Sequence, residues 1–365
     1  MRLKKRQWIL GLVVLAALVA MVVYAQHKYQ ITWPKLLDSW QKFLQQFQQA
    51  EWRKIAIALG CIYVCYVIRS VRWALLLRHN KKVGLFTLLG TQVIGFTAIA
   101  ILGRVAEPVR PYLVAKRTGL TFSSQVAVYL VERLLDAGAM VLIFSSVILM
   151  TAWFGQPGAL PHVEVMKKVS YAALTTTIAG ALFLVAVRMA GEGIASFFER
   201  AFSAVSQGLG RAIGEKIRAF RTGLNTLRTP ADFAIAMAVS LTMWGLITMA
   251  YLEITTAFVA NPLLAQMTPA KCMVLMASSL AVSGFQLPVI GWFTQIGVVE
   301  EALRNFFGVA PEAATACAAT LLLVGFLGIA PIGLIWARFE HVSLRKIATE
   351  SEHAEEALAV DEPVS

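Results

Sequence analysis

Residues 103–136 read GRVAEPVRPYLVAKRTGLTFSSQVAVYLVERLLD. The stretch places Arg104, Glu107, Arg110, Lys116, Arg117, Glu132, Arg133 and Asp136 between long apolar runs on both sides. Charge inside a bilayer is expensive unless it lines a cavity or pairs internally. Whether these residues lie in a membrane therefore decides both the fold and the candidate site.

The rest of the chain answers that question. Of its 365 residues, 58% are hydrophobic and only 15% charged, with a mean hydropathy of +0.67. That is too little polar surface to cover a soluble domain. Apolar runs of about 20 residues recur, the length that crosses ~30 Å of hydrocarbon as a helix. Backbone groups in lipid must be satisfied within each segment, so we expect an all-α integral membrane protein. The net charge of +12 fits topology and anionic headgroups better than nucleic acid, because no basic stretch is interleaved with an aromatic platform. Cys61, Cys65, Cys272 and Cys317 fall within apolar runs, and the five histidines are scattered. Neither a metal site nor a cofactor is expected.

Upstream of the charged stretch, residues 83–102 are apolar and carry Gly84, Gly90, Gly95 and, just beyond, Gly103. If they spanned, Arg104, Arg110, Lys116 and Arg117 would lie outside, against the cytoplasmic bias of basic residues. A re-entrant hairpin over 83–118, turning at Gly103, removes the conflict and implies a cavity around its non-helical tip. Residues 55–77 form the span before it, with Arg69 and Arg72 on one face of its last third, expected to snorkel to cytoplasmic headgroups, a role in the site being the alternative. Residues 1–54 supply a retained first transmembrane helix and then an outer amphipathic helix, with Leu36, Trp40, Phe43, Leu44 and Phe47 on its apolar face.

Downstream, residues 122–154 form one long helix. Glu132 and Asp136 are i, i+4 partners and Arg133 lies three before Asp136, so one face holds a compact ionic group. It could be a site, or a self-neutralising lock on helix packing. A return span closes the first membrane half, 55–190, and residues 191–231 read as a basic amphipathic helix on the cytoplasmic surface. The second half, 232–337, contains a span, a re-entrant hairpin over 272–308 with Pro288, Gly291 and Gly297 at its turn and Glu300 and Glu301 beyond, and a clean final span over 313–336. Residues 338–365 are a cytoplasmic tail.

The sum is about six transmembrane helices and two re-entrant hairpins, with both termini cytoplasmic by the distribution of Lys and Arg. Span, hairpin, span occurs twice in opposite orientation, an inverted repeat of the kind that places a substrate site between the halves. Two spacings are shared: Gly103 to Glu107 matches Gly297 to Glu301, and Gly119 to Ala127 matches Gly308 to Ala316.

On Gly103-Arg104, Glu107, Arg110-Pro111-Tyr112-Leu113, Gly119, Glu132-Arg133 and Asp136 the chain resembles the flippase-like family, also called the lysylphosphatidylglycerol synthase transmembrane region. The likeness covers roughly residues 55–336. In the second half the family's Pro, Gly-Gly-x-Gly turn and Glu correspond to Pro288, Gly291 to Gly297, and Glu300 or Glu301, without the adjacent glycine pair. The resemblance implies a multi-pass inner-membrane protein that moves or holds a lipid, with two re-entrant segments meeting inside the bilayer. Some relatives carry a fused soluble aminoacyl transferase, for which the short tail after Trp336 leaves no room.

The leading expectation is a flippase or transporter of a phospholipid, aminoacylated lipid or polyprenyl-linked lipid with an anionic or zwitterionic headgroup. Arg104, Arg110 and Arg133 could hold a headgroup phosphate, with Tyr112, Glu132 and Asp136 in the same site. Glu107 and Glu301 could counter an amine, pair with the arginines or relay a proton. The alternatives are a non-transporting scaffold for a lipid- or glycan-modifying enzyme partner, with homo-oligomers possible, or a membrane transferase. Catalysis is not expected, since the chain has no DxD, HExxH, GxSxG or phosphate-cradling loop.

Overall fold

The computed structural model describes residues 33–79, 81–155, 162–203, 206–208, 211, 229–283 and 290–352, all helical or connecting, with no strand among them. The expected first span, most of the basic amphipathic segment, Pro288 and the end of the tail lie outside the described residues.

Two apolar helices, α2 (Trp52–Leu77) and α7 (Pro230–Ala257), form the axis. A short helix, α1 (Trp33–Gln48), precedes them. Glu51 N donates to Ala257 O (2.9 Å), Lys54 Nζ to Thr256 O (3.1 Å), Cys65 Sγ to Met243 O (3.5 Å) and Arg72 Nη1 to Ser240 Oγ (2.7 Å). Arg78, just past α2, pairs with Asp232 at the start of α7. One residue number rises as the other falls, so α2 and α7 are antiparallel. Between apolar helices in lipid, such hydrogen bonds and close packing supply the adhesion that water-driven burial cannot.

Each axis helix is followed by a helical hairpin. After α2 come α3 (Leu85–Leu102), a 3-10 turn over Arg104–Ala106, and α4 (Val109–Thr118). Gly103 ends α3 at φ 79 and ψ −166, a conformation reserved for glycine. Lys81 Nζ reaches Thr118 O at 2.6 Å and Arg117 Nη1 reaches Thr87 O at 3.2 Å, so the hairpin returns to the level at which it began. Then follow α5 (Phe122–Phe154) and α6 (Val163–Ser203), the latter passing residue 191 without a break.

After α7 and a one-turn helix, α8 (Pro262–Ala265), the second hairpin is α9 (Pro269–Ser283) and α10 (Ile290–Phe307), tied by Gln295 Nε2 donating to Ser279 Oγ at 2.8 Å. Gly291 and Gly297 sit inside α10 and are not turn residues. The expected clean final span is bent by 43° at Phe326, between α11 (Pro311–Gly325) and a 3-10 turn leading into α12 (Ala330–Phe339). A last helix, α13 (Leu344–Glu352), folds back over α4.

Four described helices are long and apolar enough to cross a membrane, α2, α3, α5 from Ser124, and α7, and the bent α11–α12 pair makes a fifth. The packing is paired: α2 lies against α3 as α7 lies against α9, and α4 against α5 as α10 against α11. Gly119 and Gly308 end the two return limbs at φ 64 and φ 69, both left-handed caps. Small side chains carry the closest contacts. On α11, Ala313, Ala314, Ala316, Cys317, Ala318 and Thr320 are all buried, which lets α10 and α11 approach closely.

Candidate functional site

Three elements of the first half deliver charge to one buried point. Arg69 and Arg72 lie three apart on α2, Arg110 sits in the first turn of α4, and Glu132, Arg133 and Asp136 share a face of α5. Arg72, Arg110 and Glu132 are each 1% exposed and Asp136 is 5% exposed. Arg110 Nη2 donates to both Glu132 oxygens at 2.9 Å, and to Gln92 Oε1 on α3 at 2.6 Å, with Nε at 3.1 Å from the same oxygen. Arg72 Nη1 binds Asp136 Oδ1 at 2.5 Å, and its Nη2 lies 3.0 Å from Glu132 Oε1. Arg133 Nη2 lies 2.8 Å from Glu132 Oε1 and 3.1 Å from Asp136 Oδ2, and Arg69 Nη1 lies 3.6 and 3.5 Å from the same two oxygens.

Four guanidinium groups thus surround two carboxylates, leaving two positive charges uncompensated in the interior. Aromatic faces take part of that load. The Arg110 guanidinium carbon is 4.3 Å from the Phe96 ring centre, 5.1 Å from Trp73 and 5.5 Å from Tyr129, while Arg133 lies 5.2 Å from Tyr129 and Arg69 4.9 Å from Phe96. The local sequence makes this possible, because a β-carbon at Gly95 would overlap Arg110 Cγ.

The cluster forms one wall of a cavity of about 280 Å³ that both halves enclose. Arg69, Arg104, Glu107, Arg110, Arg133 and Asp136 line it from the first half, and Trp244, Tyr251, Ser279, Gln295 and Phe326 from the second. The hairpins also touch directly, Trp292 Nε1 on α10 donating to Ala100 O on α3 at 3.1 Å. Advancing by the 189 residues that separate Gly119 from Gly308 carries Glu132 and Asp136 onto Leu321 and Gly325, which also line the cavity. At the two offset positions the second half is therefore uncharged. Among the described residues, Arg69 Nη1, Arg133 Nε and the indole nitrogen of Trp244 have no hydrogen-bond partner.

The structure brings Arg104, Glu107, Arg110, Arg133 and Asp136 to the cavity wall, with Glu132 buried behind them. Other expected positions differ. Arg69 and Arg72 do not snorkel outward. They turn inward because two buried carboxylates sit opposite them, and their i, i+3 spacing facing the i, i+4 carboxylates is the signal that sequence reasoning overlooks. Tyr112 leaves the site, its hydroxyl bonding Glu350 on α13 at 2.9 Å. Glu300 and Glu301 also stay away: α10 runs on as a regular helix, so they pair locally with Arg304 and Asn305 at 3.4 and 2.6 Å, and Glu301 is 62% exposed. Gly297 thus lies inside a continuous helix, unlike Gly103 at its turn, whereas Gly119 and Gly308 both end helices with positive φ.

No curated protein and no solved structure matches the chain. A family model, that of the lysylphosphatidylglycerol synthase TM region, matches residues 8–335. A match over that much of the length, together with apolar helices enclosing a charged interior, shows that this membrane protein belongs to the lysylphosphatidylglycerol synthase TM region family.

Proposed function

We propose that the protein moves a lipid with an anionic or zwitterionic headgroup across the membrane, holding the headgroup in the cavity between the two halves. The observation that carries this reading is the surplus of two positive charges beside Arg69 Nη1, Arg133 Nε and Trp244 Nε1, which make no hydrogen bond among the described residues. An uncompensated cation in a low-dielectric interior is costly. A phosphate entering the cavity supplies the missing anion, and arginine offers it two parallel donors. Nothing in this chemistry needs a bond to be made or broken, so the protein acts as a transporter and not as a transferase.

The hairpins α3–α4 and α9–α10 are read as re-entrant, entering from opposite sides. Support comes from the antiparallel axis, since a two-fold exchanging α2 and α7 lies across the helices and so in the membrane plane. Arg78, Lys81, Lys82, Arg117 and Arg338 gather at one end, where Arg117 pairs with Glu340 and Lys81 with Thr118 O. Basic residues favour the cytoplasm, so that end is cytoplasmic, in an inner membrane.

Purified protein in liposomes tests this reading. Head-labelled phosphatidylglycerol should become accessible across the bilayer faster than in protein-free vesicles. Correctly inserted protein that leaves the rate at background would instead favour a scaffold, docking through exposed Leu37 and Trp40 on α1.

A further inference from the structure

A second space of about 370 Å³ lies against the tip of the first hairpin, between that tip, α4 and α5. Its lining is apolar, with Val105, Pro108, Pro111, Phe122, Val126 and Leu130, except where it meets Arg104, Glu107 and Tyr129. Those last three residues also line the charged cavity, so the two spaces share a wall. Val105 is 65% exposed and Leu130 42% exposed, placing the outer side of the groove toward the hydrocarbon. The shared wall is a poor barrier: Arg104 Nη1 lies 3.6 Å from Glu107 Oε1, beyond hydrogen-bond distance, with side chains 44% and 34% exposed.

We propose that this groove is the acyl-chain subsite of a glycerophospholipid whose phosphate sits in the charged cavity, and that the Arg104–Glu107 pair is the bar across the portal joining them. The inference rests on the reading of the cavity as a headgroup site and adds where the rest of the lipid goes. Charge complementarity selects the occupant. The cavity offers two unmatched cations within reach of an apolar slot, a pattern that suits an anionic head on an apolar chain and suits neither a soluble anion nor a neutral lipid. Tyr129 borders both spaces, with the Arg110 and Arg133 guanidinium carbons 5.5 and 5.2 Å from its ring centre. Arg104 and Glu107 part as the lipid enters, and the chain stays in contact with Phe122, Val126 and Leu130 while the head is inside.

The test uses the full-length protein in phosphatidylcholine nanodiscs with trace phosphatidylglycerol bearing a photoreactive diazirine on one acyl chain, and a diacylglycerol probe with the same chain as control. After irradiation, mass spectrometry should place phosphatidylglycerol adducts on Phe122, Val126 and Leu130, with the diacylglycerol labelling them far less. Filling the groove with Val126→Trp, or with Leu130→Trp at a position open enough to accept the ring, should lower those adducts about tenfold or more. Arg133→Gln, which addresses only the headgroup, should lower them as well. If the tryptophan variants leave labelling unchanged while Arg133→Gln abolishes it, the groove is wrong and the headgroup reading stands. If Arg133→Gln has no effect, the headgroup reading fails and this inference with it. Equal labelling by the neutral probe makes the groove ordinary lipid-facing surface and overturns the proposal.

Discussion

Arg110 holds Glu132 through a single nitrogen, Nη2, set 2.9 Å from each carboxylate oxygen. Its Nε and the same Nη2 grip Gln92 Oε1 at 3.1 and 2.6 Å. One side chain thus joins both limbs of the first hairpin to α5. Removing one partner of a buried ionic group leaves the other charge stranded, at a cost of ~3 to 5 kcal/mol. Glu132→Gln, which leaves four arginines facing Asp136 alone, should lower the melting temperature in detergent by more than Arg110→Gln, after which Arg72 and Arg133 still hold Glu132. The double variant Arg110→Met with Glu132→Leu should recover much of that stability, because well-packed apolar replacements often match a buried pair. Translocation should not return with it, and its return would make the cluster a packing lock.

Gly95 tests the same geometry from the backbone side. Its absent β-carbon is where Arg110 Cγ passes, so Gly95→Ala should displace the arginine and destabilise by ~1 to 3 kcal/mol, as overpacking does. Gly60, on α2, has nothing within 4 Å of the position a β-carbon would take, and Gly60→Ala should stabilise by roughly 0.5 to 1 kcal/mol through helix propensity. Thermal unfolding of the two variants side by side gives the comparison. Equal effects would mean that Arg110 does not depend on the glycine.

The charged end of the axis is a separable device. Asp232 accepts from Thr229 N at 2.9 Å and donates its own N–H to Thr229 Oγ1 at 3.1 Å, a reciprocal cap on α7, while also pairing with Arg78 and lying 3.0 Å from His79 Nε2. Asp232→Ala removes the carboxylate half of that cap, leaving the backbone N–H of residue 232 on Thr229 Oγ1, together with the contacts to Arg78 and His79. It should cost about 1 kcal/mol or more and speed amide hydrogen exchange in the first turn of α7, with little change in the middle of that helix. Uniformly faster exchange along α7 would show that the axis itself depends on this contact.

Topology is accessible through exposed positions at opposite ends. Lys82 precedes α3 and Gln266 follows α8. In a background lacking the native cysteines, Lys82→Cys should resist an impermeant maleimide applied outside intact cells, while Gln266→Cys should react. The reverse pattern would invert the orientation argued from the basic residues.

How far the sequence carries can be judged at particular residues. The helix over 122–154 and the turn at Gly103 are legible because a long apolar run and a glycine act locally, through hydropathy and backbone sterics. The joint burial of Arg110, Glu132 and Asp136 is legible too, since charge in lipid must find charge. Arg69 and Arg72 are misread because snorkelling and inward pairing give the same one-dimensional pattern, and only the position of α5 beside α2 separates them. Tyr112 is misplaced for a similar reason: its partner, Glu350, comes from a tail whose return path no local pattern encodes. Glu300 and Glu301 follow from a spacing match to Gly297, but α10 continues as helix through that glycine and carries both carboxylates away. The break at Phe326 leaves no trace in hydropathy, since both sides of it are apolar.

The central claim is that the unmatched positive charge of the cavity carries the headgroup, and Arg133 is where to test it. Its side chain is 40% exposed while the rest of the cluster is nearly closed, so Arg133→Gln should insert and fold. The measurement is the rate of phosphatidylglycerol translocation in liposomes by wild type and Arg133→Gln, normalised to correctly inserted protein. The rate should fall about tenfold or more, the loss of one charge-assisted contact to phosphate, with melting temperature little changed. Wild-type rates from Arg133→Gln would contradict it, leaving the buried charges to packing alone.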